Sequence, residues 1–190
     1  VNINGLYNVL EVAREYKCAV FTPSSIGVFG PSTPKDNTPQ ETILRPNTIY
    51  GVTKVAGELL CDYYYKRFAV DTRGIRWPGI ISYVTLPGGG TTDYAVEIYY
   101  EALKHKRYTC FLRAGTHLPM MYMPDALKAA IDIMEAGPSK LRYRNAYNLT
   151  AMSITIIYTV RPGISNCLAD WVNIVFQHKI WNMFFDFLGY

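Results

Sequence analysis

The chain has 190 residues, 49% of them hydrophobic and 18% charged, with a formal net charge of +4. That size and composition suit one ordinary globular domain with a core. The mild positive charge comes without the Lys/Arg run that marks a nucleic-acid face, and no stretch is apolar and long enough to cross a membrane.

Ile3, Leu6, Val9, Leu10 and Ala13 recur at helical spacing, which predicts a helix over 2–17. Cys18 to Thr22 is a short apolar run that fits a buried parallel strand, with a Ser/Gly/Pro-rich stretch after it. Pro31, Pro34, Pro39 and Pro46 make 30–47 a loop. Thr48 can cap a second helix running to about Phe68, with Val52, Val55, Ala56, Leu59, Leu60 and Tyr63 as its apolar face. A strand over Val70 to Trp77 ends at Pro78-Gly79. A Pro/Gly loop over 84–92 leads to a third helix, Asp93 to Lys104. Short strands follow near Tyr108 to Leu112 and Met120 to Met123. Pro124 opens another helix that Gly137-Pro138 stops, and Asn145 to Thr150 is a last strand. Helices alternating with apolar strands imply βαβ units, so the fold class is α/β with a parallel sheet.

The cysteines Cys18, Cys61, Cys110 and Cys167 form no CxxC pair and no zinc spacing. They read as reduced, mostly buried thiols of an intracellular protein. His105, His117 and His178 show no ligand spacing, so no metal is expected.

The segment with chemistry in it is Ile49-Tyr50-Gly51-Val52-Thr53-Lys54. Tyr50 and Lys54 lie four apart on a helix and project from one face. An ammonium beside a phenol favours the phenolate, which can exchange a proton with an alcohol or carbonyl oxygen. Lysine also brings three donors suited to ribose hydroxyls. Taken alone, this spacing is equally that of a surface pair. Ser24 and Ser25 fall just past the first strand, where open α/β sheets build their sites, although loop serines also serve as caps. Arg76-Trp77-Pro78-Gly79-Ile80 ends the next strand at the same sheet edge, and Pro-Gly there can be a plain terminator.

Serines after one strand, YxxxK opening a helix, and Arg-Xaa-Pro-Gly after the next strand together resemble the extended short-chain dehydrogenase/reductase family. The runs Leu86 to Ala95, Tyr108 to Leu112 and Leu118 to Met123 are similar to the NAD-dependent L-threonine 3-dehydrogenases within it. The resemblance covers 1–152 and implies a Rossmann-like, doubly wound parallel sheet with a small substrate-binding lobe. It implies NAD as cofactor and oxidation of L-threonine to 2-amino-3-oxobutyrate. Tyr50, Lys54 and Ser25 would be catalytic. Ser24, Pro78, Gly79 and Ile80 would join Tyr50 and Lys54 around the cofactor. Thr91 and Thr92 would hold the amino-acid end beside Ser25 and Tyr50, and Asn2 would occupy an active-site position. Family members commonly form homodimers through the helices read here at 2–17 and 48–68. The eukaryotic members are generally mitochondrial, which makes that compartment the expectation.

The pattern breaks in two places. The family's Gly-rich GxGxxG turn is not in this sequence, and the Gly88 to Gly90 run lacks its strand-loop-helix setting, reading instead as a flexible substrate loop. The chain opens on Val1 without a Met, so the expectation is a truncation that removes the first strands of the sheet and impairs activity. After Met152, residues 153–190 form a divergent, aromatic-rich tail with Trp171, Phe176, Trp181, Phe184, Phe185 and Phe187. The alternatives are a non-catalytic remnant that pairs with a related subunit, or a nucleotide-sugar epimerase or dehydratase of the same superfamily.

Overall fold

The computed structural model describes residues 2–155 apart from 83, 106, 107, 114 and 150. The aromatic tail and Cys167 lie outside the described residues. The chain divides into two units: 1–78 with 124–150, and 79–123 with 151–190.

The first unit opens with α1 (Asn2–Tyr16), followed by β1 (Val20–Ser25) and a short 3-10 turn at Ile26–Val28. Next come α2 (Ile49–Phe68) and β2 (Thr72–Trp77). Thr48 caps α2 as expected, its hydroxyl accepting from Gly51 N at 3.0 Å. The helix ends at Ala69, in the left-handed conformation with φ 57°. β1 pairs in parallel with β2, from Val20 opposite Thr72 to Ser25 opposite Trp77. Leu10, Ala13, Val20, Cys61, Tyr64 and Val70 form the core between the two helices and the sheet. α1 and α2 approach closely at Gly57, where a Cβ would lie 3.1 Å from Leu6 Cδ2.

Two expectations about these elements change. β1 begins later than predicted and runs on through Pro23, Ser24 and Ser25, whose composition reads as loop. The serines are therefore the last residues of the strand, not residues beyond it. The apolar stripe predicted for α2 is only partly its core face: Val55, Ala56 and Leu60 are half-buried, Leu60 packing on the core, but Val52, Leu59 and Tyr63 are exposed, Leu59 at 63%, while Gly51, Gly57, Glu58, Cys61 and Tyr64 are buried. Small and polar residues pack inward because backbone and sheet lie close on that side. Ile3, Tyr7, Val9, Val12 and Tyr16 of α1 are exposed as well.

Described third in this unit's sheet is β5 (Tyr147–Asn148), parallel to β2. Before it runs α4 (Met123–Glu135). The Arg73 guanidinium caps the end of α4, its Nη1 donating to Ile133 O at 2.7 Å, Met134 O at 2.9 Å and Ala136 O at 2.7 Å. Asp71 pairs with Arg73 at 2.7 Å and with Arg144 at 3.0 Å. The hydrogen bond from Arg73 holds the Asp71 carboxyl below the ordinary carboxylate range, against a smaller opposing effect of burial. A depressed carboxyl stabilises the fold above its unfolded pKa, and that contribution is lost as pH falls through its folded one. Asp71→Asn should therefore lower stability at neutral pH and flatten the acid limb of an unfolding-versus-pH curve. An unchanged acid limb would refute this.

The second unit holds β3 (Gly79–Ile81), α3 (Tyr94–His105), β4 (His117–Tyr122) and β6 (Met152–Thr155). β3 pairs in parallel with β4, and β4 pairs antiparallel with β6. β2 does end at Trp77, before Pro78, but Gly79 at once opens β3, a strand of a different sheet. β6 starts at Met152 and runs into 153–155, where the tail was read to begin. Tyr108 to Leu112 is not a strand. Its side chains do alternate, with Tyr108, Cys110 and Leu112 packed on the core. Ile81, Tyr94, Ala95, Val96, Ile98 and Met120 form that core.

Tyr94 is 0% exposed, and among the described residues its hydroxyl has no hydrogen-bond partner. Burial pushes its pKa up to about 12. Burial also raises Tyr64, Tyr99 and Tyr108. A raised tyrosine favours the fold up to its unfolded pKa, and this is lost as pH rises toward the folded value. Tyr94→Phe should leave neutral stability unchanged or raise it by about 1 kcal/mol, since no bond is given up and a buried hydroxyl is removed. Thermal unfolding at neutral pH checks this, and a Tm clearly below wild type would refute it.

Candidate active site

The structure brings Ser25, Tyr50 and Lys54 together at the end of β1 and the start of α2. Strand alternation sends Ser24 and Ser25 to opposite faces. The Ser25 hydroxyl accepts from Gly27 N at 3.1 Å. Gly27 separates it from Tyr50: a Cβ there would meet the Tyr50 ring at 3.1 Å and Ser25 Oγ at 3.4 Å. A larger residue at 27 would push the phenol away from the serine. Gly51 is equally constrained, since its Cβ would fall 2.2 Å from Gly27 O. This contact sets the first turn of α2 against the turn after β1.

Lys54 Nζ lies 5.5 Å from the Tyr50 ring centroid and donates to Pro23 O at 2.6 Å. That bond uses one of its three donors, leaving the rest for a ligand. Tyr50 is 49% exposed. Asn2 Nδ2 donates to Thr53 Oγ1 at 3.3 Å, which places α1's first residue beside the Tyr50–Lys54 turn.

Ser24 is buried, and its hydroxyl donates to Glu58 Oε1 at 2.5 Å. Sequence reading placed it at the cofactor; its side chain instead belongs to a buried polar chain. Glu58 takes both arms of Arg76, Nε at 3.0 Å and Nη2 at 2.8 Å. Arg76 Nη1 donates to Gln40 O and to Asn148 Oδ1, each at 3.0 Å. Asn145 donates to Asp62 nearby, and burial raises the Asp62 carboxyl despite Lys66. Glu58 was missed in the sequence, yet it stands at i+8 from Tyr50 and i+4 from Lys54, on one helical face. Arg76 lies in the quoted Arg-Trp-Pro-Gly run without having been given a role.

Pro78 closes the first unit and is buried. Gly79, Ile80, Thr91 and Thr92 belong to the second. There Gly79 admits no side chain, because a Cβ would lie 2.3 Å from Met120 Sδ and 2.8 Å from Thr92 Cγ2. Thr91 is exposed, while Thr92 and Ile80 are half-buried. The Asp93 carboxylate, also missed, accepts from Gly88 N at 2.8 Å and Gly90 N at 2.9 Å. Between them Gly89 has φ 91°, a conformation that favours glycine. Among the described residues no His, Cys, Asp and Glu cluster is placed to hold a metal, and no helix is long and apolar enough to cross a membrane. Cys18 is exposed, Cys61 buried and Cys110 half-buried.

The chain is similar in sequence and fold to known proteins. An uncharacterized epimerase/dehydratase of Staphylococcus aureus strain USA300 is 63% identical, over 91% of this chain and 60% of its own length. The chain thus spans about three-fifths of that relative. The L-threonine dehydrogenase of Phytophthora infestans superposes with a TM-score of 0.78 at 60% identity, over 81% of this chain and 50% of that one. The L-threonine dehydrogenase of Clostridium difficile does so with a TM-score of 0.83 at 51% identity, over 99% of this chain and 68% of that one. The bacterial curated relatives overturn the mitochondrial expectation, since bacteria have no such organelle. The NAD dependent epimerase/dehydratase family matches residues 1–149. The fold is the Rossmann-like α/β fold of short-chain dehydrogenases, and the chain belongs to that family.

Proposed function

We propose that this chain carries the acid/base half of an NAD-dependent L-threonine 3-dehydrogenase. The observation that carries the reading is Tyr50, half exposed, with Ser25 and the Lys54 ammonium around it. Similarity of 51–60% to solved threonine dehydrogenases supports it.

The present residues fit the nicotinamide end of NAD: Lys54 has donors to spare for ribose hydroxyls, and Tyr50 is half exposed beside it. When bound, NAD supplies the acceptor for the hydride from C3 of threonine. Ser25 donates a hydrogen bond to the substrate hydroxyl and fixes its orientation. Tyr50 is the base that takes the hydroxyl proton while the C3–H bond breaks, so the alcohol becomes the ketone of 2-amino-3-oxobutyrate. Lys54 stabilises the negative charge on the Tyr50 oxygen.

A polypeptide of these 190 residues alone has no Gly-rich turn to cradle a pyrophosphate. It should bind NAD weakly and turn over slowly at best, because the turn supplies much of the cofactor's orientation. The exposed apolar faces of α1 and α2 suit a second copy of the chain, which is the proposed homodimer contact.

The test uses a fusion that adds the part of the Staphylococcus relative this chain does not span. With NAD and L-threonine it should generate NADH, and the 190 residues alone should show little. A fusion that ignores threonine but epimerises a nucleotide sugar would replace this reading with the epimerase.

A further inference from the structure

We infer that the buried Ser24–Glu58–Arg76 chain is the positioning device of the candidate site, with Ser24 and Glu58 as positioning residues. The inference rests on the reading of Ser25, Tyr50 and Lys54 as the site.

Three strands meet at one level of the sheet. Ser24 of β1 stands opposite Arg76 of β2, and Arg76 stands opposite Asn148 of β5. One guanidinium spans them, bonding Asn148 directly and reaching Ser24 through the Glu58 carboxylate. The same guanidinium bonds Gln40 O in the proline-rich loop, while the Gln40 side chain bonds Ala146 O and Asn148 N. Both members of the ion pair are nearly excluded from solvent, at 6% and 7%. The two elements that carry Ser25, Tyr50 and Lys54, β1 and α2, are therefore tied to one buried charge.

The link to the chemistry is local. Pro23, Ser24 and Ser25 are consecutive at the end of β1, and Lys54 and Glu58 are one turn apart on α2. Two bonds therefore clamp the strand end to the helix: Lys54 Nζ to Pro23 O at 2.6 Å, and Ser24 Oγ to Glu58 Oε1 at 2.5 Å. Releasing the second frees the strand end to shift. The Pro23 carbonyl then leaves the Lys54 ammonium, and Ser25 leaves its place across Gly27 from Tyr50. A serine hydroxyl alone could be satisfied by any nearby carbonyl. Here it is spent on a carboxylate that already pairs with arginine, an arrangement that fixes position more than it adds stability.

Ser24→Ala is the informative variant, because it leaves the Glu58–Arg76 pair intact and the chain able to fold. The readout is the solvent exchange of the Lys54 ammonium protons, followed by nitrogen-15 NMR on the 190-residue chain, with Tm measured in parallel. Wild type should show a slowly exchanging Lys54 ammonium. Ser24→Ala should speed that exchange about ten-fold, the weight of one hydrogen bond to a charged group, with little change in Tm. Ser24→Thr, which keeps the hydroxyl, should retain slow exchange. Unchanged exchange in Ser24→Ala overturns the inference. So does equal acceleration in both variants, or a wild-type Lys54 that exchanges like a free lysine. Failure of threonine oxidation leaves this readout standing, so the two ideas fail separately.

Discussion

Glu58→Ala should destabilise the chain by about 3–5 kcal/mol, the usual cost of removing one partner of a buried ion pair. The substitution strips Arg76 of both carboxylate contacts while leaving its guanidinium buried between β1, β2 and α2. Gln40 O and Asn148 Oδ1 remain as acceptors, but neither carries charge. Ser24 also loses its acceptor. The cost comes from the uncompensated cation more than from the lost attraction. Denaturant titration reads it as a lower midpoint. The double variant Glu58→Leu with Arg76→Met removes both charges and should recover most of the loss. A single-variant cost below about 1 kcal/mol, the range of an exposed pair, would mean that Arg76 finds water.

Tyr50→Phe in the fusion should lower kcat for threonine oxidation about 10²–10⁴-fold, the contribution of a positioned proton-transfer group. The loss should fall on kcat with KM little changed, because the proton moves in the transition state while Ser25 still binds the hydroxyl. Stability should not change. No bond from the Tyr50 hydroxyl is seen among the described residues, and the ring, already 49% exposed, is retained. Steady-state kinetics and a melting curve on the same sample separate the two effects. A Tyr50→Phe enzyme with wild-type kcat would remove Tyr50 from the chemistry.

What could be read in the sequence followed from local signals. Thr48 before the Tyr50 helix, and the four-residue step to Lys54, are short-range patterns that survive folding unchanged. The end of β1 was misread because Pro23-Ser24-Ser25 carries loop composition, while the pairing with β2 that makes it strand is long-range. β3 was hidden by Pro78-Gly79, whose usual meaning is a stop. The Glu58–Arg76 pair had no local signature at all. Its partners lie 18 residues apart on different elements, and a charged residue inside a helix reads as surface. The opposite error concerned Val52, Leu59 and Tyr63, whose periodicity promised a core face but which lie exposed. Periodicity reports that a stripe is apolar, not whether the chain itself covers it.

The most direct test of the central claim follows one atom. L-threonine deuterated at C3 is incubated with NAD and the fusion, and the reduced nicotinamide is examined for deuterium by NMR. The account predicts deuterium on the nicotinamide ring with Tyr50 in place, and a loss of about two orders of magnitude or more in its rate of appearance with Tyr50→Phe. No transfer from threonine with Tyr50 in place, or transfer undiminished without its hydroxyl, would contradict it.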